Sequence, residues 1–333
     1  MSTKLFWRFA AILLCLSGLA ACSDQDRPRV DTLVAPAPTG PAAPPAPTGP
    51  RIALLLKSLS NPYFLEMEQG ARRAQTESGA KLFVRSVGSE TSIDQQIQFI
   101  EKIIADRSAD AIVLVPTDSE RLIPSVIEAG KAGIPVIVAD TPLNEGTPAA
   151  GGFMPPAFVG IDNAKAAYQA VQALSAGLPP GAEVALMEGN SNALNTRERG
   201  QGARKAFTEA RMKLVASKSA WTLEEAYENT GTLLRDHPNL RGIYCVSDFI
   251  ALGVMQYLAD HGIMQVRVAA FDGIPEARAA LAAGRMAATI DQRPDRQGYL
   301  AVKAALDILA GKPVPRRIEV DTLLLTQTHP GQP

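Results

Sequence analysis

The feature that most constrains this chain is a rhythm of short, unbroken apolar runs, each followed by a segment whose apolar residues recur every three or four positions. Ile52-Ala53-Leu54-Leu55-Leu56 opens it. A strand that is apolar on alternate and intervening positions must be buried on both faces, which a parallel sheet between two helical layers provides. Phe64, Met67, Ala71 and Ala74 then fall on one face of a helix, and Gly79 stands where a helix closes with a left-handed residue. The unit repeats. Leu82–Val84 predicts a strand, Ile93, Ile97, Ile100 and Ile104 a helix stripe, Ala111–Val115 a strand, 119–132 a helix and Val136–Val138 a fourth strand. A stretch rich in Gly and Pro, Gly146–Pro156, precedes Phe158-Val159-Gly160, and the alternation resumes. Helices 163–176, 197–211, 223–235 and 248–261 precede strands 182–187, 214–219, 242–246 and 266–271 respectively. With 333 residues, 46% of them hydrophobic, there is material for two cores. The expected fold class is therefore α/β, as two doubly wound parallel-sheet lobes. Such sheets place ligands beyond the carboxyl ends of their strands, so the cleft between two lobes is where function is sought.

Composition removes several function classes. Lys and Arg total 33 against 34 Asp and Glu, which gives no positive surplus for a nucleic acid. The three histidines, His237, His261 and His329, and the three cysteines show no paired spacing of the kind a transition metal needs, so no metal is expected. The loop after the first strand has neither G-x-G-x-x-G nor a P-loop, and so lacks a phosphate cradle; no cofactor is expected. Gly189-Asn190-Ser191-Asn192-Ala193 nearly spells a nucleophile elbow, but its last position is alanine and only the three histidines could partner it. Asp140 and Asp272 could serve a glycosidase only at a suitable separation, which sequence does not measure. No enzyme is expected.

Residues 1–21 carry Lys4 and Arg8 ahead of the apolar run Phe9–Leu16 and end in Leu19-Ala20-Ala21 before Cys22, the pattern of a secretory signal. The apolar stretch is well short of the about 20 residues that span a bilayer. Leu-Ala-Ala-Cys resembles the lipobox of bacterial lipoproteins, which implies cleavage before Cys22, its acylation, and a place in the periplasm or at the outer cell surface; an ordinary signal that leaves Cys22 as a thiol is the alternative. Residues 22–50, dominated by Pro and Ala after Val34, cannot build a core and read as a semi-rigid tether. Removing Lys4 and Arg8 leaves 31 basic against 34 acidic residues, and losing Cys15 leaves Cys245 with no disulfide partner once Cys22 is modified.

At the predicted strand ends stand short polar and aromatic side chains: Ser60-Asn61-Pro62-Tyr63-Phe64, Asp140-Thr141, Val246-Ser247-Asp248, Phe271-Asp272-Gly273 and Asp291-Gln292. Trp221 follows a strand, and Asn195-Thr196-Arg197-Glu198-Arg199-Gly200 opens a helix. Rings pack on the C–H face of a sugar, and carboxylates or amides grip neighbouring hydroxyls, so the set describes a polyol pocket. The same residues admit plainer roles. Tyr63 and Phe64 could be core, Asp140 and Asp272 turn or cap carboxylates, Ser247 and Asp248 helix caps, and Trp221 a lid over the core. The segment from Asn195 to Gly200 could be a cap and a solvated charged turn, which is the expectation for Arg199.

ALLLKSLSNPYF, VPTDSE, GIPVIVADT, NTRERGQG, SDFIALG, AFDGIPEA and ATIDQRPDRQG occur in that order from Ile52 onward. Together they resemble the type I periplasmic binding proteins, specifically the ribose- and galactose-type sugar receptors related to the ligand domain of lactose-repressor regulators. The resemblance implies two lobes joined by a three-strand hinge, a first lobe of 51–160 plus 293–320, and a second of 161–292 plus 321–333. It implies a monomer that closes on a monosaccharide or polyol and delivers it to an ABC permease, touching the membrane only through its N-terminal lipid; a sensory receptor presenting its closed form to a membrane kinase or chemoreceptor is the alternative. A transcriptional regulator is excluded by the signal and tether ahead of residue 51. Carried over by position, Asn61, Tyr63 and Phe64 form the first-lobe loop and Asp140 the carboxylate for adjacent hydroxyls. Arg197 is the second-lobe arginine, Trp221 a stacking ring, and Phe271, Asp272 and Gln292 further contacts. Thr141 stands where an arginine often follows the aspartate, and Ser247 where an asparagine often precedes Asp248, so ribose itself does not transfer directly. The segment Leu143–Phe158 is longer than the family pattern.

Overall fold

The computed structural model describes residues 49–329. The expected signal at 1–21, Cys22 and the tether up to residue 48 lie outside the described residues, as do 330–333.

In one lobe the chain forms β1 (Arg51–Leu56), α1 (Pro62–Ser78), β2 (Lys81–Ser86), α2 (Ile93–Asp106), β3 (Ala111–Leu114), α3 (Ile123–Lys131), β4 (Val136–Ala139), a single 3-10 turn (Pro148–Ala150) and β5 (Ala157–Gly160). It crosses to the other lobe for α4 (Asn163–Ala176), β6 (Glu183–Glu188), α5 (Leu194–Glu209), β7 (Lys213–Ser219), α6 (Leu223–Asp236), β8 (Leu240–Cys245), α7 (Asp248–Asp260), β9 (Arg267–Ala269), α8 (Pro275–Ala282) and β10 (Ala288–Asp291). It returns for α9 (Pro294–Leu309) and β11 (Arg317–Glu319), and crosses once more to end in β12 (Leu323–Thr326).

The first sheet runs β11-β5-β4-β3-β1-β2 and the second β12-β10-β9-β8-β6-β7, the same order in each lobe. In both, the chain steps to one side after its first strand and then to the other, leaving a crevice at the carboxyl ends of the central strands. One pair departs from the expected parallel sheets: β12 is antiparallel to β10. Every other strand ends at the cleft, so a strand entered directly from the cleft after β11 has to run away from it.

The unbroken apolar run of β1 is explained by its two faces. Ile52, Leu54 and Leu56 pack with Met67 and Ala71 of α1 and Val302 and Ala305 of α9, while Ala53 and Leu55 pack with Ile100 of α2 and Val126 of α3. Asn61 caps α1 by accepting from the Tyr63 N–H, Pro62 occupies its first turn, and Gly79 ends it at φ 69°. The helix expected over 119–132 begins only at Ile123. Asp118 Oδ1 accepts from the backbone N–H groups of Glu120 and Arg121, each at 2.7 Å, which fixes the preceding residues as a turn.

Each lobe brings one helix pair into very close approach through glycine. A Cβ at Gly298 would lie 2.0 Å from the Met67 carbonyl oxygen, one at Gly70 would lie 1.7 Å from that of Asp295, and one at Gly202 would lie 2.1 Å from that of Ala164. The pairs α1–α9 and α4–α5 therefore pack backbone to backbone. Gly298→Ala is expected to push α9 off α1 and cost about 1–3 kcal/mol despite the better helix propensity of alanine. Urea unfolding should show a lower midpoint at an unchanged m-value.

Candidate ligand-binding site

Between the lobes lies a cavity of about 530 Å³. Its walls come from the residues beyond β1, β2, β4, β6, β7, β8, β9 and β10 and from the start of α5. In the first lobe, Asn61, Tyr63 and Phe64 face it, the two rings edge to face at 5.1 Å. Asn61 Nδ2 donates to Glu90 Oε1 at 3.0 Å while its Oδ1 caps α1.

Asp140 also faces the cavity and is buried, at φ 60°. A positive φ on a residue other than glycine is strained and tends to occur where a site requires it. The Tyr63 hydroxyl donates to Asp140 Oδ1 at 2.8 Å, and Thr141 Oγ1 (2.7 Å) and Asn195 Nδ2 (3.3 Å) donate to Oδ2. Lys57, buried at the tip of β1, holds its Nζ 3.9 Å from the same Oδ2. That is beyond a hydrogen bond, so the ammonium keeps donors to offer the cavity it lines. Burial first, and then the Asp140 charge, push the Tyr63 phenol well above its ordinary value, so it stays a donor.

In the second lobe the counterpart is Asp272, at φ 131°, with Arg199 Nη1 3.3 Å from its Oδ1. Ser247 Oγ donates to Asp272 Oδ2 at 2.7 Å and Gln292 Nε2 to Oδ1 at 2.6 Å. Arg199 is held on all sides: Nε donates to Asn163, Nη1 also to the Val246 carbonyl, and Nη2 to Gln292 Oε1. Its guanidinium lies 4.0 Å from the Phe271 ring centroid. Asp248 is buried behind this group, accepting from the Gly273 and Ile274 N–H groups and from Thr289 Oγ1. It thereby fixes the loop that presents Asp272.

The expected residues thus separate by position. Asn61, Tyr63, Phe64, Asp140, Trp221, Ser247, Asp272 and Gln292 line the cavity. Trp221 does so at its mouth, 49% exposed, and is no part of the core. Thr141 and Phe271 are fully buried and do not line it; they act behind Asp140 and Arg199. Ser247 has both roles considered for it, since it caps α7 through the Phe249 N–H and also holds Asp272.

The arginine is the correction. Arg197 points away from the cavity, its side chain 36% exposed and 3.8 Å from Glu120, whereas Arg199, expected in a solvated turn, is buried in the wall. The reason is helical phase. Ala203, Ala206 and Phe207 form the buried stripe of α5, and stepping back by four gives Arg199 and Asn195, with Arg197 on the opposite side. That stripe was readable in the sequence and would have found both Asn195 and Arg199. Lys57 was also missed; its signal is a lone cation directly after an apolar strand, where an unpaired charge is costly unless the strand tip faces a polar site. Ser191 of the elbow-like segment is exposed, and no histidine lines the cavity.

Two α/β lobes with three connections between them, enclosing a polar cavity at their strand tips, define a two-lobed solute receptor. A family profile described as a periplasmic binding protein domain matches residues 52–313, and the chain belongs to that family. It is 36% identical over 267 residues to the D-ribose/D-allose-binding protein of Pseudomonas aeruginosa, covering 79% of this chain and 83% of that one. To the D-allose-binding periplasmic protein of Escherichia coli it is 34% identical over 288 residues, 83% and 91% of the two chains. Among solved structures, an ABC transporter periplasmic solute-binding protein from Actinobacillus succinogenes with bound D-allose superposes with a TM-score of 0.80 at 35% identity, covering 84% of this chain and 99% of that one. The relatives are binding proteins, and so is this chain; it is not an enzyme.

Burial raises the Asp272 carboxyl above the ordinary range, opposed by Arg199, and burial raises Asp248 likewise, opposed by its three hydrogen bonds. With native values above the unfolded about 3.9, the native state binds more protons than the unfolded state between those limits. Stability contributed by these groups is therefore greatest at the acid end of that window and is lost as pH rises through the native values. Urea midpoints of the protein alone should fall between about pH 5 and about pH 8, and Asp272→Asn should flatten the slope. A midpoint that rises equally in both proteins would contradict this assignment.

Proposed function

We propose that the protein captures one neutral monosaccharide or related polyol between its lobes and delivers it to an ABC permease, held at the envelope by a lipid on Cys22. The observation that carries the proposal is the pairing of both buried cations on the cavity wall. Lys57 lies opposite Asp140, and Arg199 opposite Asp272, so each buried cation has its own carboxylate. A charged ligand would upset one pair, whereas hydroxyl groups, which donate and accept, add to both. Tyr63 and Phe64 on one side and Trp221 on the other offer ring faces for the C–H surface of a sugar. The relatives named for D-allose and D-ribose support an aldose of that class.

Closure converts binding into shape. Ligand contacts from both lobes are complete only when the lobes meet, so the ligand favours that arrangement by its differential affinity. The crossings at Gly160-Ile161, Gln292-Arg293 and Val320-Asp321 are the proposed hinge, with Arg293 at φ 53° and the Val320 N–H donating to the Gly160 carbonyl at 2.8 Å.

A thermal-shift panel of monosaccharides and polyols that includes D-allose and D-ribose tests the ligand class. A bound sugar at about 100 times its Kd adds about 2.7 kcal/mol and raises Tm by several degrees. Arg199→Ala should abolish the shift, while Arg197→Ala, partly exposed and outside the cavity wall, should alter affinity less than about fivefold. No shift with any member of the panel would refute the sugar proposal. Labelling of cells with radioactive palmitate should tag the wild-type protein and leave Cys22→Ser unlabelled.

A further inference from the structure

Helix α5 carries three cavity residues, Asn195, Thr196 and Arg199, yet its N-cap residue supplies no side-chain cap. Its N-cap is Ala193, which offers no side-chain acceptor to the first-turn N–H groups. The acceptor comes from the opposite lobe: Ser119 Oγ accepts from the Leu194 N–H at 2.8 Å. Ser119 also donates its own N–H to the Asn192 carbonyl at 3.0 Å, so one residue makes a reciprocal pair of bonds across the cleft. Asn190 Nδ2 adds a third bond to the Thr117 carbonyl at 3.0 Å.

The loop that presents Ser119 is built to stay still. Buried Gln96 accepts from the Thr117 N–H at 2.9 Å and donates to the Val115 carbonyl at 2.9 Å, and Asp118 turns the chain through the Glu120 and Arg121 N–H groups. The Asn144 N–H donates to the Ser119 carbonyl at 2.7 Å, and Asn144 Nδ2 donates to Glu120 Oε1 at 2.8 Å. Ser119 is itself fully buried and is not among the residues lining the cavity.

We infer that Ser119 is a positioning residue that caps α5 in trans, so that bringing the lobes together completes the helix that carries Arg199. The inference rests on the two-lobed sugar-binding function proposed above. The Leu194 N–H, the first of the orphan donors of α5, has Ser119 Oγ as its partner, whereas the Thr196 N–H is met within the helix by Asn195 Oδ1, and the Ser119 bond is made across the cleft, where the lobes meet. Ligand affinity then depends on a hydroxyl that never touches the ligand.

The test compares wild type, Ser119→Ala and Ser119→Thr for amide hydrogen exchange at Leu194, for affinity and dissociation rate with whichever panel sugar binds, and for the urea midpoint. In Ser119→Ala the Leu194 amide should exchange faster, and sugar affinity should fall by about 2- to 30-fold, the worth of a helix N-cap, mainly through faster dissociation. Ser119→Thr, which keeps the hydroxyl, should restore both, with a urea midpoint in Ser119→Ala close to wild type. Unchanged exchange at Leu194, or an affinity loss that follows the urea midpoint and not the hydroxyl, overturns the trans cap. If the wild type binds no panel sugar, the proposed function falls, and Leu194 exchange in the protein alone still decides the cap.

Discussion

Two carboxylates buried at the cleft, Asp140 and Asp272, set the terms for the rest of the molecule. A buried charge is tolerated only when it is paired and hydrogen-bonded, and for Asp140 one lobe alone does not supply all the partners seen here. Asn195 reaches Asp140 from the other lobe. Gln292, at the crossing between lobes, donates to Asp272 and accepts from Arg199, and its Oε1 lies 3.4 Å from the Tyr63 hydroxyl oxygen. Gln297, on α9, donates to the Tyr63 hydroxyl and to the Gln292 carbonyl, which ties the same network into the first lobe. The lobes are thus joined by polar bonds that also shape the cavity, and an event in the cavity is felt at the crossing.

Backbone strain follows the same geography. Of the residues other than glycine with positive φ, Arg107 and Arg211 close helices, whereas Asp140, Asp272 and Arg293 stand at the two strand-tip carboxylates and at a lobe crossing. Such conformations persist only where the surroundings hold them. Here those surroundings are the close glycine packing of α1 against α9 and α4 against α5, and the Asp248 anchor beneath the Asp272 loop. A rigid scaffold lets strained residues hold their aim, and the loop of Ser119 uses the same principle from the other side of the cleft.

Most of the architecture was legible because it depends on periodicity. The apolar run of β1, the stripe of α2 from Ile93 to Ile104 and Gly79 at the end of α1 each have one economical structural solution. The site was legible at the strand tips, where Asn61, Asp140, Asp272 and Gln292 all face the cavity. On α5 motif position favoured Arg197, whereas helical phase brings Arg199 to the cavity wall. Thr141 and Phe271 stand one layer behind the cavity wall, because adjacency in sequence does not say which of two neighbours turns inward.

The sequence by itself determined the alternation of strand and helix, its interruption and resumption, and the polar character of the strand tips, since these follow from local spacing and side-chain chemistry. Only the tertiary structure decided which cation meets which carboxylate, that β12 runs against its neighbour, and that a serine in one lobe completes a helix in the other. Those outcomes depend on distances between residues far apart in the chain. They are fixed by how two packed bodies meet across a cleft, and no pattern of neighbouring residues encodes that.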